Sequence, residues 1–168
     1  ISGRASGEDF SSYRLQAGQG LNPSGWIIIH GDESSAVENG TLATWDTSEL
    51  NGLYALQLIV LREEQRVDTA TIQVTIDNIL PEVSIIHPEN EQVFSSQVDK
   101  TITFQVEASD NLGLKAVEFY INNQYIATQT QPPFAYPWKT SAGNFELVVK
   151  TIDMAGNTSQ VTVNFSVE

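Results

Sequence analysis

The chain has 168 residues, no cysteine, and a net charge of −13 from 8 basic and 21 acidic side chains. A disulfide staple and a thiolate metal site are therefore excluded, and the negative field disfavours nucleic acid and anionic lipid surfaces as partners. With 40% apolar and 9% aromatic residues the composition suits a folded globular protein, and no stretch reaches the ~20 apolar residues of a membrane-crossing helix.

In chain order, the first strand signal is the short apolar run Trp26-Ile27-Ile28-Ile29. Around it Gly18-Gln19-Gly20 and Asn22-Pro23-Ser24-Gly25 read as loops, since Gly, Asn and Pro punctuate structure. After Trp45-Asp46-Thr47-Ser48 and Gly52-Leu53-Tyr54-Ala55-Leu56 comes a strand in which Leu56, Leu58 and Val60 alternate with Gln57, Ile59 and Leu61. It is apolar on both faces, so the outward Ile59 and Leu61 suggest a contact patch. Ile72, Val74 and Ile76 alternate with Thr71, Gln73 and Thr75 in the manner of a half-buried strand. Asp77-Asn78-Ile79-Leu80-Pro81 then reads as a short, stiff joint.

Beyond the joint, Val83–Ile86 is a short strand, and Ile102, Phe104, Val106 and Ala108 form an apolar row of period two. Val117, Phe119 and Ile121 form the next row. Asn122-Asn123 makes a tight turn into Gln124–Ala127, because asparagine tolerates the positive φ of a hairpin turn. Pro132-Pro133 breaks the chain before Phe134–Trp138. Phe145, Leu147 and Val149, then Val161, Val163, Phe165 and Val167, supply the last two rows around the turn Asp153-Met154-Ala155-Gly156-Asn157.

Trp138-Lys139-Thr140-Ser141 followed by Gly143-Asn144-Phe145-Glu146-Leu147 repeats the earlier tryptophan motif. The repeat is too long for a solenoid unit. It predicts an all-β chain of two tandem immunoglobulin-like (Greek-key) β-sandwiches, residues 1–78 and 79–168, with seven strands in the second. The sandwiches are expected end to end.

Gly3-Arg4-Ala5, Phe10, Tyr13-Arg14-Leu15, Gly18, Pro23, Trp26, Val37–Leu42, Trp45-Asp46-Thr47 and Gly52–Leu56 together resemble an extracellular β module from the C-terminal tails of penicillin-binding proteins. Ala108–Gly113, Val117–Tyr120, Pro133-Phe134 with Trp138, and Asp153–Asn157 resemble a bacterial immunoglobulin-like domain. The first resemblance implies a parent enzyme that builds peptidoglycan outside the cytoplasmic membrane. Its acylating serine stands three residues before a lysine, and here Gln97, Leu112, Tyr136 and Leu147 hold those places. The chain itself is thus expected to be non-catalytic. It begins at Ile1 without a signal-peptide pattern, and reads as a piece tethered to the envelope through a missing N-terminal part.

Candidate sites are few. His30 and His87 are the only histidines and fall in different copies, which argues against a shared zinc. Asp110, Asp153 and Asp77 stand in turns or at the joint, where calcium finds carboxylate and carbonyl oxygens. The competing role for such side chains is capping their own turns. Tyr120, Tyr125 and Tyr136 could form an aromatic face for sugar rings, beside the bland alternative of covering a sheet. No cofactor is expected beyond that candidate calcium. The expected partners are neighbouring domains of the same chain, and peptidoglycan or another envelope protein.

Overall fold

The computed structural model describes all 168 residues. The chain divides into two compact units, Ile1–Asn78 and Ile79–Glu168.

The first unit contains β1 (Ser2–Ala5), β2 (Phe10–Gln19), β3 (Ile27–Glu33), β4 (Val37–Thr41), β5 (Gly52–Arg62) and β6 (Val67–Ile76). Four strands form an antiparallel sheet in the order β3-β2-β5-β6, and β1 pairs with β4 as a second layer. Tyr13, Leu15 and Ala17 of β2 and Leu56 and Val60 of β5 bury one face against Ala5, Leu42 and Ala43. Each fully buried large side chain there contributes about 1.5–3 kcal/mol. The Tyr13 hydroxyl donates to the Leu42 carbonyl oxygen at 2.8 Å, tying the long sheet to the segment after β4.

Two expectations for this unit need correction. Gly18 and Gln19 belong to the end of β2, not to a loop. Gly18 is required there by packing: a Cβ at this position would lie 2.3 Å from Pro23 Cβ and 2.7 Å from the Gly25 carbonyl oxygen. The Asn22–Gly25 loop therefore folds onto the strand. The apolar run also opens a longer strand than expected, which begins at Ile27 with Trp26 outside it and lies at a sheet edge, where Ile27 and Ile28 are exposed. Ile59 and Leu61 are half-buried on the outer face, with Ile59 set between Arg14 and Thr69.

The second unit contains β7 (Glu82–His87), β8 (Gln92–Phe94), β9 (Thr101–Ser109), β10 (Leu114–Ile121), β11 (Gln124–Gln129), β12 (Phe134–Lys139), β13 (Gly143–Asp153) and β14 (Thr158–Val167). A three-stranded sheet, β12-β9-β7, faces a five-stranded sheet, β11-β10-β13-β14-β8. The alternating rows place Phe104, Val117, Phe119, Leu147 and Val149 wholly out of solvent between them. Trp138 stacks on Phe104 at 5.8 Å and meets the edge of Phe145 at 4.7 Å, while Phe145 stacks on Phe165 at 5.4 Å. Such ring pairs add about 0.5–1.5 kcal/mol each beyond their buried area.

There are eight strands here rather than seven. The additional one, β8, has three residues and runs parallel to the end of β14. It is too short to show a period, and tertiary bonds hold it. The Glu91 backbone N–H donates to the Asn164 carbonyl oxygen, and the Asn164 N–H donates to the Asn90 side chain. Asn122 and Asn123 hold φ of 48° and 65° in the turn joining β10 to β11, the left-handed pair a two-residue hairpin needs. The protein is all-β, built as sandwiches.

Candidate functional site

Two groups of side chains in the second unit stand apart from its core. The first lies on the β10–β11 hairpin. Phe119 points into the sandwich and is completely buried, so the next residue, Tyr120, points outward. A register shift between Phe119 and Tyr120 sets Tyr120 opposite Tyr125. Their rings meet edge to face, with centroids 5.7 Å apart at 71°. The Tyr120 hydroxyl donates to Glu118 Oε2 at 2.7 Å, and the Tyr125 hydroxyl donates to Thr128 Oγ1 at 3.1 Å. The hydrogen bond to Glu118 raises the Tyr120 phenol above its ordinary value, with burial and the Glu118 charge acting in the same direction. Tyr125 remains 55% exposed.

Tyr136 stands elsewhere. It lies on β12 in the three-stranded sheet, with its ring 6.1 Å from Phe119 and packed on the core. Phe134, Tyr136 and Trp138 alternate along β12 with Ala135 and Pro137, which turns all three aromatic rings inward. The structure thus joins Tyr120 to Tyr125 and separates Tyr136 from them.

The second group is acidic. Asp110 follows β9, and its Oδ1 accepts the N–H groups of Leu112 and Gly113 at 2.9 and 3.0 Å. Asp153 ends β13 with no exposed surface. Its Oδ1 accepts from the Gly156 and Asn157 backbones at 2.6 and 2.8 Å, and its Oδ2 from Asn157 Nδ2 at 2.8 Å. Burial pushes the Asp153 carboxyl up, but these donors outweigh it and hold the group below the ordinary carboxylate value. The two loops are joined by the Met154 N–H, which donates to the Gly113 carbonyl oxygen at 3.1 Å. A carboxylate oxygen of Asp110 lies within 4.8 Å of one of Asp153. Asp110 Oδ2 is buried and accepts no hydrogen bond. Asp77, grouped with these two on sequence, follows β6 at the C-terminal end of the first unit.

The remaining candidates have structural partners. His30 stacks on Tyr13 at 5.9 Å, and His87 meets Phe94 edge-on at 5.6 Å. Thr140 of the Lys139-Thr140-Ser141 element donates its hydroxyl to the Asp99 carbonyl oxygen at 2.6 Å. In the first unit, Asp46 accepts the Ser48 N–H at 3.0 Å, which lowers its carboxyl below the usual range.

Sequence reasoning missed a polar network on the outer face of the first unit. Gln16 Nε2 donates to Gln57 Oε1 at 2.7 Å, and Gln57 Nε2 donates to Thr71 Oγ1 at 3.1 Å. Beside it the Arg14 guanidinium makes a two-pronged pair with Asp32 at 2.9 and 2.8 Å, which holds the Asp32 carboxyl below its ordinary value. The available signal was the alternation of Arg14 and Gln16 with Tyr13, Leu15 and Ala17.

No curated protein matches the chain. Among solved structures, the fibronectin(III)-like modules of Clostridium thermocellum CbhA share 18% identity and a TM-score of 0.55, over 100% of this chain and 85% of that one. Latent PorU of Porphyromonas gingivalis shares 14% identity and a TM-score of 0.44, over 95% and 20%. A 1.5-MDa bacterial ice-binding adhesin shares 16% identity and a TM-score of 0.40, over 99% and 56%. At such identities the likeness to the CbhA modules is one of fold. The family model described as "Bacterial Ig domain" matches residues 81–164, half of the chain and all of the eight-stranded sandwich except the end of β14, and the chain therefore belongs to the bacterial immunoglobulin-like domain family.

Proposed function

We propose that this chain is a non-catalytic accessory or spacer region of a bacterial cell-envelope protein, held outside the cytoplasmic membrane. The observation that carries this reading is the work of the polar side chains in the loops. Asp110, Asp153, Asn157 and Thr140 all bind groups of their own or adjoining loops and strand ends, an arrangement that fixes loops and leaves those atoms committed. Family membership supports an extracellular setting, and the resemblance of residues 1–78 to the tails of penicillin-binding proteins supports a peptidoglycan synthase as the parent. Its partners are then the neighbouring domains of that chain and the wall or envelope proteins around it.

A spacer predicts no clustered chemical-shift changes when peptidoglycan fragments or a glycan panel are added to the labelled protein. The parent is tested by the coding sequence upstream of Ile1. A transpeptidase module with its Ser-x-x-Lys motif is expected, and an array of adhesive repeats would overturn that assignment.

The edge-to-face pair of Tyr120 and Tyr125 favours a second reading, a glycan- or protein-binding surface. The exposed Tyr125, with the half-buried Tyr120 against its edge and both hydroxyls braced by Thr128 and Glu118, offers an aromatic surface of the kind that stacks on sugars. This reading requires shifts clustered on 118–128 in the same titration, and their loss in Tyr125→Ala.

Calcium belongs to the spacer reading as a loop-stiffening ion. Asp110 Oδ2, buried without a hydrogen bond and close to the Asp153 carboxylate, is the observation that favours it, since hard cations take oxygen ligands of this kind.

A further inference from the structure

Strand β6 forms one edge of the four-stranded sheet, with β5 as its sole neighbour. It pairs with β5 at ten consecutive positions, from Gly52 opposite Ile76 to Leu61 opposite Val67, without a bulge. Seven successive residues, Val67–Gln73, are exposed. Ile72 lies opposite the buried Leu56. Opposed residues of a ladder share a face, so Ile72 points to the core side and yet is 59% exposed. The two-stranded β1–β4 layer leaves this margin of the sheet uncovered.

Edges of this kind are normally blunted by bulges, proline, charge or brevity. The other edges of this protein carry such protection. β3 has two register shifts and the side chains of His30, Asp32 and Glu33. β7 has a register shift and lies between Pro81 and Pro88, and β12 contains Pro137. β11 has a register shift, and Pro132-Pro133 follows it closely. β14 occupies the place in the second unit that β6 has in the first, and its end is covered by β8. β6 has no bulge, no proline and ten residues, and its one charge is Asp68 beside its start, paired with Arg62. Thr69–Ile76 carries no charge in a chain of net charge −13.

We propose that β6 is a pairing edge through which two copies of this chain associate, β6 against β6, antiparallel and centred on Ile72. A two-fold axis normal to the sheet keeps the core sides of both copies together, so the residues that meet must have the same parity. Centring on Ile72 sets that side chain against its own copy, Ala70 against the second copy's Val74, and Thr71 against the second copy's Gln73. Asp68 falls opposite the second copy's Ile76. The two Asp68 charges are then eight residue steps apart, roughly 27 Å at strand rise, well beyond the ~10 Å screening length at 0.1 M salt. An uncharged strand is what a second copy of a strongly acidic chain can approach. The consequence is that spacer arms couple in pairs through their first units. A contact of one strand pair is at the small end of specific interfaces, so the dimer is weak.

Sedimentation equilibrium of the whole chain tests this. The apparent mass is expected to rise toward twice the monomer as concentration approaches about 1 mM, and to stay monomeric in Ile72→Lys with an unchanged thermal melt. A monomer throughout that range, or a dimer that survives Ile72→Lys, overturns the proposal. Should Ile72→Lys fail to fold, Ile72→Cys decides the matter, because the chain has no other cysteine. A disulfide-linked dimer under mild oxidation is expected, and its absence overturns the pairing.

Discussion

Gly52 and Gly143 occupy the same place in two hairpins. Each opens an 11-residue strand, each holds a positive φ (104° and 146°), and each strand pairs with a following strand of 10 residues. The tryptophans that precede them are less alike. Trp138 lies within β12 and stacks on Phe104, whereas Trp45 lies outside any strand and meets Tyr54 edge-on at 5.6 Å. The repeated motif is therefore a device for entering the long hairpin, with a ring beside it that packs as its own unit allows.

That device predicts the cost of adding a Cβ. Gly52→Ala and Gly143→Ala place an L side chain in a backbone region that strongly disfavours it, at about 1–3 kcal/mol each. Urea denaturation should show both midpoints lowered, although the space around Gly52 is open. Unchanged midpoints would refute the strain argument.

Gly18 tests a different cause. An alanine Cβ there collides with Pro23, while one at Gly25 meets nothing within 4 Å. Gly18→Ala is expected to cost about 1–3 kcal/mol through overpacking, and Gly25→Ala to stay within about 0.5 kcal/mol. Paired denaturant melts of the two variants give the comparison.

Tyr13 links the first unit to alkaline pH. Burial raises its phenol above the ordinary value of about 10, and the Glu33 charge adds to this. A raised folded value means the neutral form is the one that folding favours. Its contribution is complete below about pH 10 and is lost as pH rises through the folded value. Tyr13→Phe also strips the donor from the Leu42 carbonyl, at about 1–3 kcal/mol. Melts between neutral and alkaline pH should show the wild type and the variant converging at the alkaline end.

Calcium should raise the melting temperature. For an extracellular site with affinity near 10⁻⁴–10⁻³ M, about 10 mM calcium contributes about 1–3 kcal/mol, a shift of about 5–15 °C for a domain of this size. Chelator should reverse the shift and Asp110→Asn should remove it. A melt indifferent to calcium would retire Asp110 and Asp153 as ligands and leave them as turn caps.

The hairpins of the second unit were legible because their information is local. Phe104, Val106 and Val117, Phe119 alternate with polar residues, and Asn122-Asn123 names its own turn, so period and turn chemistry suffice. β2 was obscured because Gly18 looks like a loop residue until Pro23 is seen lying on it. Tyr120, Tyr125 and Tyr136 looked alike along the chain, and sheet membership divided them. Asp110 and Asp153 are 43 positions apart, and their loops meet through the pairing of Leu114 with Asp153 and the Met154–Gly113 hydrogen bond.

By itself the sequence determined the all-β class, the tandem repeat and the inward rows of the second unit, because strand periodicity is written into neighbouring residues. The tertiary structure alone decided which strands lie at edges, where β8 attaches, and which carboxylates and rings meet. Those are outcomes of register and of contacts between distant segments, and no short window of sequence contains them.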